Sequence, residues 1–234
     1  MVMYSVSRGE GAPLLLLHGF AMDHTMLLGL DPVFADGWRR VYVDLPGMGL
    51  SPAGPEIDST DAVADAVADF IRDEFGDERF AILGDSFGGM LARRLARDFG
   101  DRVMGIALLC PVFVADHSRR ELPELAPGEG PFAAATGGVA PDPAAIARIE
   151  ARYELRTPPE SIAFPGLTTV ITGRQDTVVG YRDALRMLDS YPRATITVLD
   201  GAGHDAHLDR PASVAALLSD WASALVEARV RNSV

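Results

Sequence analysis

Ser86 lies at the centre of Gly84-Asp85-Ser86-Phe87-Gly88, and its surroundings suggest what a serine there could do. A short apolar run, Phe80 to Leu83, leads into the pentapeptide, and a helical pattern follows as far as Gly100. A serine on a sharp strand-to-helix turn presents its hydroxyl as a nucleophile. A side chain at Gly84 or Gly88 would crowd that turn, and Ser86 itself must hold a strained backbone. A hydroxyl is a weak nucleophile until a base takes its proton. Two later segments offer the partners. The β-rich run Leu167 to Thr172 ends in Gly173-Arg174-Gln175-Asp176, and the alternating run Ala194 to Leu199 ends in Asp200-Gly201-Ala202-Gly203-His204. Each polar candidate thus follows the carboxyl end of a strand, where open α/β sheets place their active sites. The chemistry expected of serine, acid and histidine in that order is acyl transfer.

The elements that must position these residues alternate. Strand-like runs fall at Met3–Val6, Leu14–Leu17, Arg39–Val43, Phe80–Leu83, Val103–Leu109, Leu167–Thr172 and Ala194–Leu199. Helical patterns separate most of them. One begins at Ser59 or Thr60 and places Val63, Val67, Phe70, Ile71 and Phe75 on one face, with Gly76 as C-cap. Others cover Phe87–Phe99, roughly Tyr181–Ser190, and Ala212 to about Arg229 behind Pro211. This alternation predicts an α/β fold, a mainly parallel sheet of about seven strands with helices on both faces.

Residues 112–165 break the pattern. Prolines recur there, no strand is legible, and only Pro143 to Leu155 reads as helical. So long an irregular stretch inside a compact domain is expected to be a functional insertion. We read it as a small helical cap between two halves of a core, 1–111 and 166–234. Phe113 and Phe132, with Val112, Val114 and Ile146, are its candidates for lining a substrate pocket.

Composition narrows the function classes. The 234 residues suffice for one well-buried domain. A net charge of −12 argues against nucleic acid or an anionic membrane surface as partner, since both require basic patches. No apolar run approaches the roughly 20 residues of a membrane span, and no leader pattern opens the chain, so a cytoplasmic protein is expected. All 21 cationic residues are arginine, which excludes Schiff-base chemistry and lysine-based phosphate loops. Cys110 is the lone cysteine and ends an apolar run, so it is read as a small buried hydrophobe. Neither a metal-ligand spacing nor a glycine-rich nucleotide loop occurs, so no metal and no cofactor are expected.

Five motifs together resemble the α/β-hydrolase superfamily: Leu14-Leu-Leu-Leu-His18-Gly19-Phe20, Asp44-Leu-Pro-Gly47-Met-Gly49-Leu-Ser51, Gly84-Asp-Ser86-Phe-Gly-Gly89, Gly173-Arg-Gln-Asp176 and Gly201-Ala-Gly203-His204. The resemblance covers nearly all of the chain outside the cap. Relative to many members the chain starts late and its cap is short, so a first edge strand is expected to be missing. The resemblance implies Ser86 as nucleophile, His204 as general base and Asp176 as its orienting acid. It also implies an oxyanion hole made by the backbone N–H groups of Phe20 and Phe87. His18 would anchor the oxyanion loop through hydrogen bonds.

Rival positions exist for two of these roles. His207 follows His204 closely and is read as capping or packing the last helix. Asp116, after the preceding strand, stands where some members place the acid. His24 and His117 are expected at the pocket rim or surface, and Asp85 to point away from the site. The expected activity is hydrolysis of small to medium carboxylic esters or thioesters by a monomer or small homo-oligomer. C–C bond hydrolysis, cofactor-free perhydrolase chemistry, or a triad-retaining ligand sensor remain as alternatives, because one fold hosts many chemistries.

Overall fold

The computed structural model describes residues 2–130 and 132–231. Its strands are β1 (Ser5–Arg8), β2 (Ala12–Leu17), β3 (Trp38–Val43), β4 (Phe80–Asp85), β5 (Val103–Leu109), β6 (Leu167–Gly173) and β7 (Ala194–Leu199). They form one sheet in the order β1-β3-β2-β4-β5-β6-β7. All neighbours are parallel except β1, which pairs antiparallel with β3 from Ser5 opposite Val43 to Arg8 opposite Arg40. Leu14 to Leu17 are at most 1% exposed, as expected of a central strand covered on both faces.

Helix α1 (Thr60–Phe75) starts at Ser59, whose hydroxyl accepts the Ala62 N–H, and closes at Gly76 with φ 50°. Val63, Val67, Ile71 and Phe75 are buried, so the apolar face legible in the sequence is the one that packs. It lies against α2 (Phe87–Phe99), which crosses β2, β4 and β5. On the other face a long C-terminal helix, Pro211–Arg231, covers β5 and β6 beside a 3-10 run, His24–Phe34. There Trp221 stacks on Trp38 at 6.5 Å.

Three elements differ from expectation. The first strand begins at Ser5, because its register against β3 is set by Ser5–Arg8, an edge sequence with little apolar signal. The expected helix over 181–190 becomes one turn, Arg182–Leu185, followed by a 3-10 turn, Leu188–Ser190. Arg186 and Met187 bond back only three residues, and just Asp183 and Ala184 of the turn are buried, too little to hold a longer helix. The 3-10 run His24–Phe34 had no legible period, being interrupted by Gly29 and Pro32.

Between β5 and β6 the described residues form one α-helix, α3 (Pro143–Glu150), and two 3-10 turns, His117–Arg119 and Pro159–Ser161. Several of this segment's anchors come from loops at the carboxyl ends of strands. Ala135 N–H donates to Asp205, Val139 N–H to Asp23, and the Arg148 guanidinium to the Ile57 and Gly54 carbonyls. These bonds lay the segment over the end of the sheet that carries Ser86.

Candidate active site

The turn between β4 and α2 holds Ser86 at φ 50°, ψ −111°, a conformation side chains rarely adopt. Neighbouring strands impose it. Ser86 N–H donates to Leu109 O at 2.8 Å, and Ser86 O accepts from Val112 N–H at 3.1 Å. A Cβ on Gly84 would sit 2.3 Å from Gly88 O, and one on Gly88 would sit 2.2 Å from Leu17 O. Both flanking glycines are therefore steric requirements of this turn.

The structure brings Ser86, His204 and Asp176 into one hydrogen-bonded chain. His204 Nε2 lies 3.0 Å from Ser86 Oγ, and His204 Nδ1 lies 2.9 Å from Asp176 Oδ2. The other carboxylate oxygen of Asp176 accepts the Val178 and Val179 N–H groups at 2.8 and 3.0 Å. Burial works against the Asp176 charge, but His204 and these amides outweigh it and hold the carboxyl below its ordinary range. An ionised acid on Nδ1 fixes the tautomer that leaves Nε2 free to accept the serine proton. Burial likewise opposes a charge on His204, yet Asp176 prevails and raises its pKa above 6.5. Asp116, the rival acid, is exposed and caps its own 3-10 turn by accepting from Ser118.

The loops carrying Asp176 and His204 are locked together by a residue the sequence did not single out. Gln175 Oε1 accepts the Gly201 and Ala202 N–H groups, and its Nε2 donates to Asp200 and Glu129. Gly173 must be glycine, since a Cβ there would meet Gly203 O at 2.1 Å. Only its position beside Asp176 could have hinted at the part Gln175 plays.

His18 follows β2 and fixes the next loop. Its Nε2 accepts the Leu45 N–H at 2.9 Å, so Nδ1 carries the proton and donates to Gly19 O at 2.7 Å. Burial lowers its pKa to about 4, which keeps it neutral. Turn bonds begin beyond the two proposed oxyanion donors, with Met22 N–H on Gly19 O and Gly89 N–H on Ser86 O. The Phe20 and Phe87 rings pack edge-on at 5.1 Å, and both touch Tyr153 at 5.3 Å. That aromatic trio joins the two loops to the segment after α3.

A cleft of about 460 Å³ opens over Ser86 and His204. Gly19, Phe20, Met22, Met26, Val112 and Tyr153 form much of its wall. Phe113 and Phe132, expected to line it, are absent from that wall. Phe113 lies under the Arg93 guanidinium at 4.2 Å, where it covers a charge buried on α2. Phe132 packs on the backbone of Gly203, the residue before His204. Of the remaining histidines, His117 is exposed at the cleft, and His24 bonds buried Asp44 through Nδ1 at 2.8 Å. Cys110 is fully buried, and burial pushes its thiol well above the ordinary value.

Asp85 and His207 depart most from expectation. Asp85 does not point away from the site. Its carboxyl is sealed beneath the cleft floor beside Gly19, with His207 Nδ1 3.9 Å away. Neither its oxygens nor the His207 nitrogens have a hydrogen-bond partner among the described residues. Burial pushes the Asp85 carboxyl up to about 8 and lowers His207, so at neutral pH both are uncharged. Between about pH 4 and about pH 8 the folded chain keeps a proton that the unfolded chain has lost. Asp85 therefore weakens folding as pH rises through that window, by up to about 1.4 kcal/mol per unit. Asp85→Asn removes the titration, so its melting temperature should gain on the parent's progressively from pH 5 to pH 8. A melting difference that stays constant with pH would mean that Asp85 is ionised in the fold.

Comparison with known proteins agrees with this architecture. Residues 12–161 match the family model described as the alpha/beta hydrolase fold. The chain is 36% identical over 127 residues to a pimeloyl-[acyl-carrier protein] methyl ester esterase of Aeromonas hydrophila, covering 53% of this chain and 47% of that protein. It is 38% identical over 137 residues to the dihydrolipoyllysine-residue acetyltransferase component of the acetoin cleaving system of Cupriavidus necator, covering 52% and 36%. The matches thus span less than half the length of either relative. Among solved structures, an alpha/beta superfamily hydrolase from Oenococcus oeni PSU-1 superposes with a TM-score of 0.85 at 24% identity, over 96% of this chain and 99% of that one. A thermophilic esterase from Thermogutta terrifontis gives 0.76 at 21%, over 95% and 93%.

Proposed function

The chain belongs to the α/β-hydrolase family, and on that premise we propose that it is a serine hydrolase cleaving small to medium carboxylic esters or thioesters through an acyl-enzyme on Ser86. The observation that carries this reading is the continuous chain from Ser86 Oγ through His204 to Asp176, at 3.0 and 2.9 Å. As Oγ attacks the acyl carbon, His204 Nε2 takes its proton and Asp176 stabilises the imidazolium. The developing oxyanion accepts from the Phe20 and Phe87 N–H groups, aimed before the reaction begins and held by His18 and the elbow. His204 then returns the proton to the leaving oxygen or sulfur. Water enters, gives a proton to the same nitrogen and attacks the acyl-serine, releasing the acid and restoring Ser86.

Relatives described as esterases support the reaction class. The segment 112–165 acts in this reading as the cap that shapes the cleft. The test is turnover of an ester and thioester panel with graded acyl length, scored against pH. Catalysis needs neutral His204, whose pKa is raised, so kcat/KM should fall as pH drops, with a midpoint above about 6.5. Asp176→Asn should move that midpoint down as well as cutting the rate. Acylation followed by no second turnover would favour a ligand sensor instead.

A further inference from the structure

Arg120 stands in the wall of the cleft that holds Ser86 and His204, on the stretch that leaves β5. It is half-buried, and its charge is not met by a carboxylate. Nε donates to Val114 O at 2.8 Å, Nη2 to Ala115 O at 3.1 Å, and Nη1 to Val178 O at 2.9 Å. Asp116 is near enough to feel the charge but is itself fully exposed, and no described carboxylate forms an ion pair with the guanidinium. Glu150 and Asp205 share the cleft without closing on it. A guanidinium has five N–H donors, so three are spent on backbone and two remain, one on each terminal nitrogen. That pair can take both oxygens of one carboxylate.

We propose that Arg120 anchors a free carboxylate on the substrate, so that the preferred substrates are esters carrying a carboxylate remote from the scissile bond. Three backbone carbonyls pre-set the direction of the guanidinium, so little side-chain freedom is lost when an anion docks. The chain as a whole, at a net charge of −12, repels anions, so admitting one requires a local cation beside the nucleophile. The bond to Val178 O also ties the 112–165 segment to the loop after Asp176, and a purely structural clamp would need no anion at all. The inference rests on the hydrolase reading above, and the experiment must separate the two.

The probes are matched pairs in which a carboxylate is replaced by its near-isosteric carboxamide. One pair carries the group on the acyl side, as in monoethyl glutarate and ethyl glutaramate. The other carries it on the alcohol side, as in the acetate esters of glycolic acid and glycolamide. In one of the pairs the carboxylate should be favoured in kcat/KM by roughly 10-fold or more, mainly through KM, the scale of a hydrogen bond to a charged group. The pair that responds identifies which side of the ester Arg120 reads. Added salt should shrink the preference in the parent protein, and Arg120→Met should abolish it while Arg120→Lys keeps part of it. Amide and carboxylate turned over equally by the parent, or a preference that survives Arg120→Met in folded protein, would overturn the proposal. If Arg120→Met does not fold, the salt dependence and Arg120→Lys decide it. No turnover of any member would sink the hydrolase reading, and this inference with it.

Discussion

Ser86→Ala should lower ester turnover by on the order of 10⁴-fold or more, with the melting temperature close to that of the parent. The size follows from what is removed. Alanine leaves His204 and Asp176 paired and both oxyanion amides in place, so substrate still meets a polarising site. What vanishes is the only atom that can form the acyl bond, and water must then attack without covalent help. Stability should be nearly untouched, because the Ser86 side chain caps nothing on α2 and its one hydrogen bond among the described residues is to His204. Alanine must still accept φ 50°, and the same backbone bonds to Leu109 and Val112 hold it there. A fluorophosphonate should label the parent once, at Ser86, and the variant not at all. Near-normal turnover in a variant shown by mass to carry alanine would end the acyl-serine mechanism.

Much of this site was legible in the sequence because its demands are local. A strand-to-helix turn with glycine on both sides of serine has one steric reading, and the later Gly84 and Gly88 contacts express the same constraint. Asp176 and His204 were legible because each directly follows a strand, and strand ends in a parallel sheet share one edge. The illegible parts depend on contacts between residues far apart in sequence. Nothing near Gln175 announces that its amide will lock two loops, and nothing near Tyr153 announces two phenylalanines at 5.3 Å. Phe113 and Phe132 were misplaced for the same reason. Apolar character told that they would be covered, but not whether by substrate, by Arg93 or by Gly203. Within 112–165, outside the helical stretch Pro143 to Leu155, no period of 2 or 3.6 constrains direction, so hydrogen bonds to Asp23 and Asp205 decide the path instead.

His204→Ala should be about as damaging as Ser86→Ala, while His207→Ala should leave kcat within about tenfold of the parent, since members of a triad fail as a unit and neighbours do not. The two histidines sit three residues apart, and both are largely covered, so exposure does not separate them. Geometry does. His204 spans Ser86 and Asp176 with one nitrogen each, whereas among the described residues neither nitrogen of His207 has a hydrogen-bond partner and Asp85 lies 3.9 Å away. Electrostatics agrees. Asp176 raises His204 into a range where it can accept a proton and later release it, while burial lowers His207 and keeps it neutral. A neutral ring under the floor contributes packing, so His207→Ala should show itself in a lower melting temperature and not in the acid limb of the rate profile. His207→Gln, which keeps polar volume, should recover part of that loss. If His207→Ala instead removed activity and flattened the acid limb while His204→Ala left both intact, the base would have to be moved to His207 and the Ser86–His204 contact would not be the catalytic one.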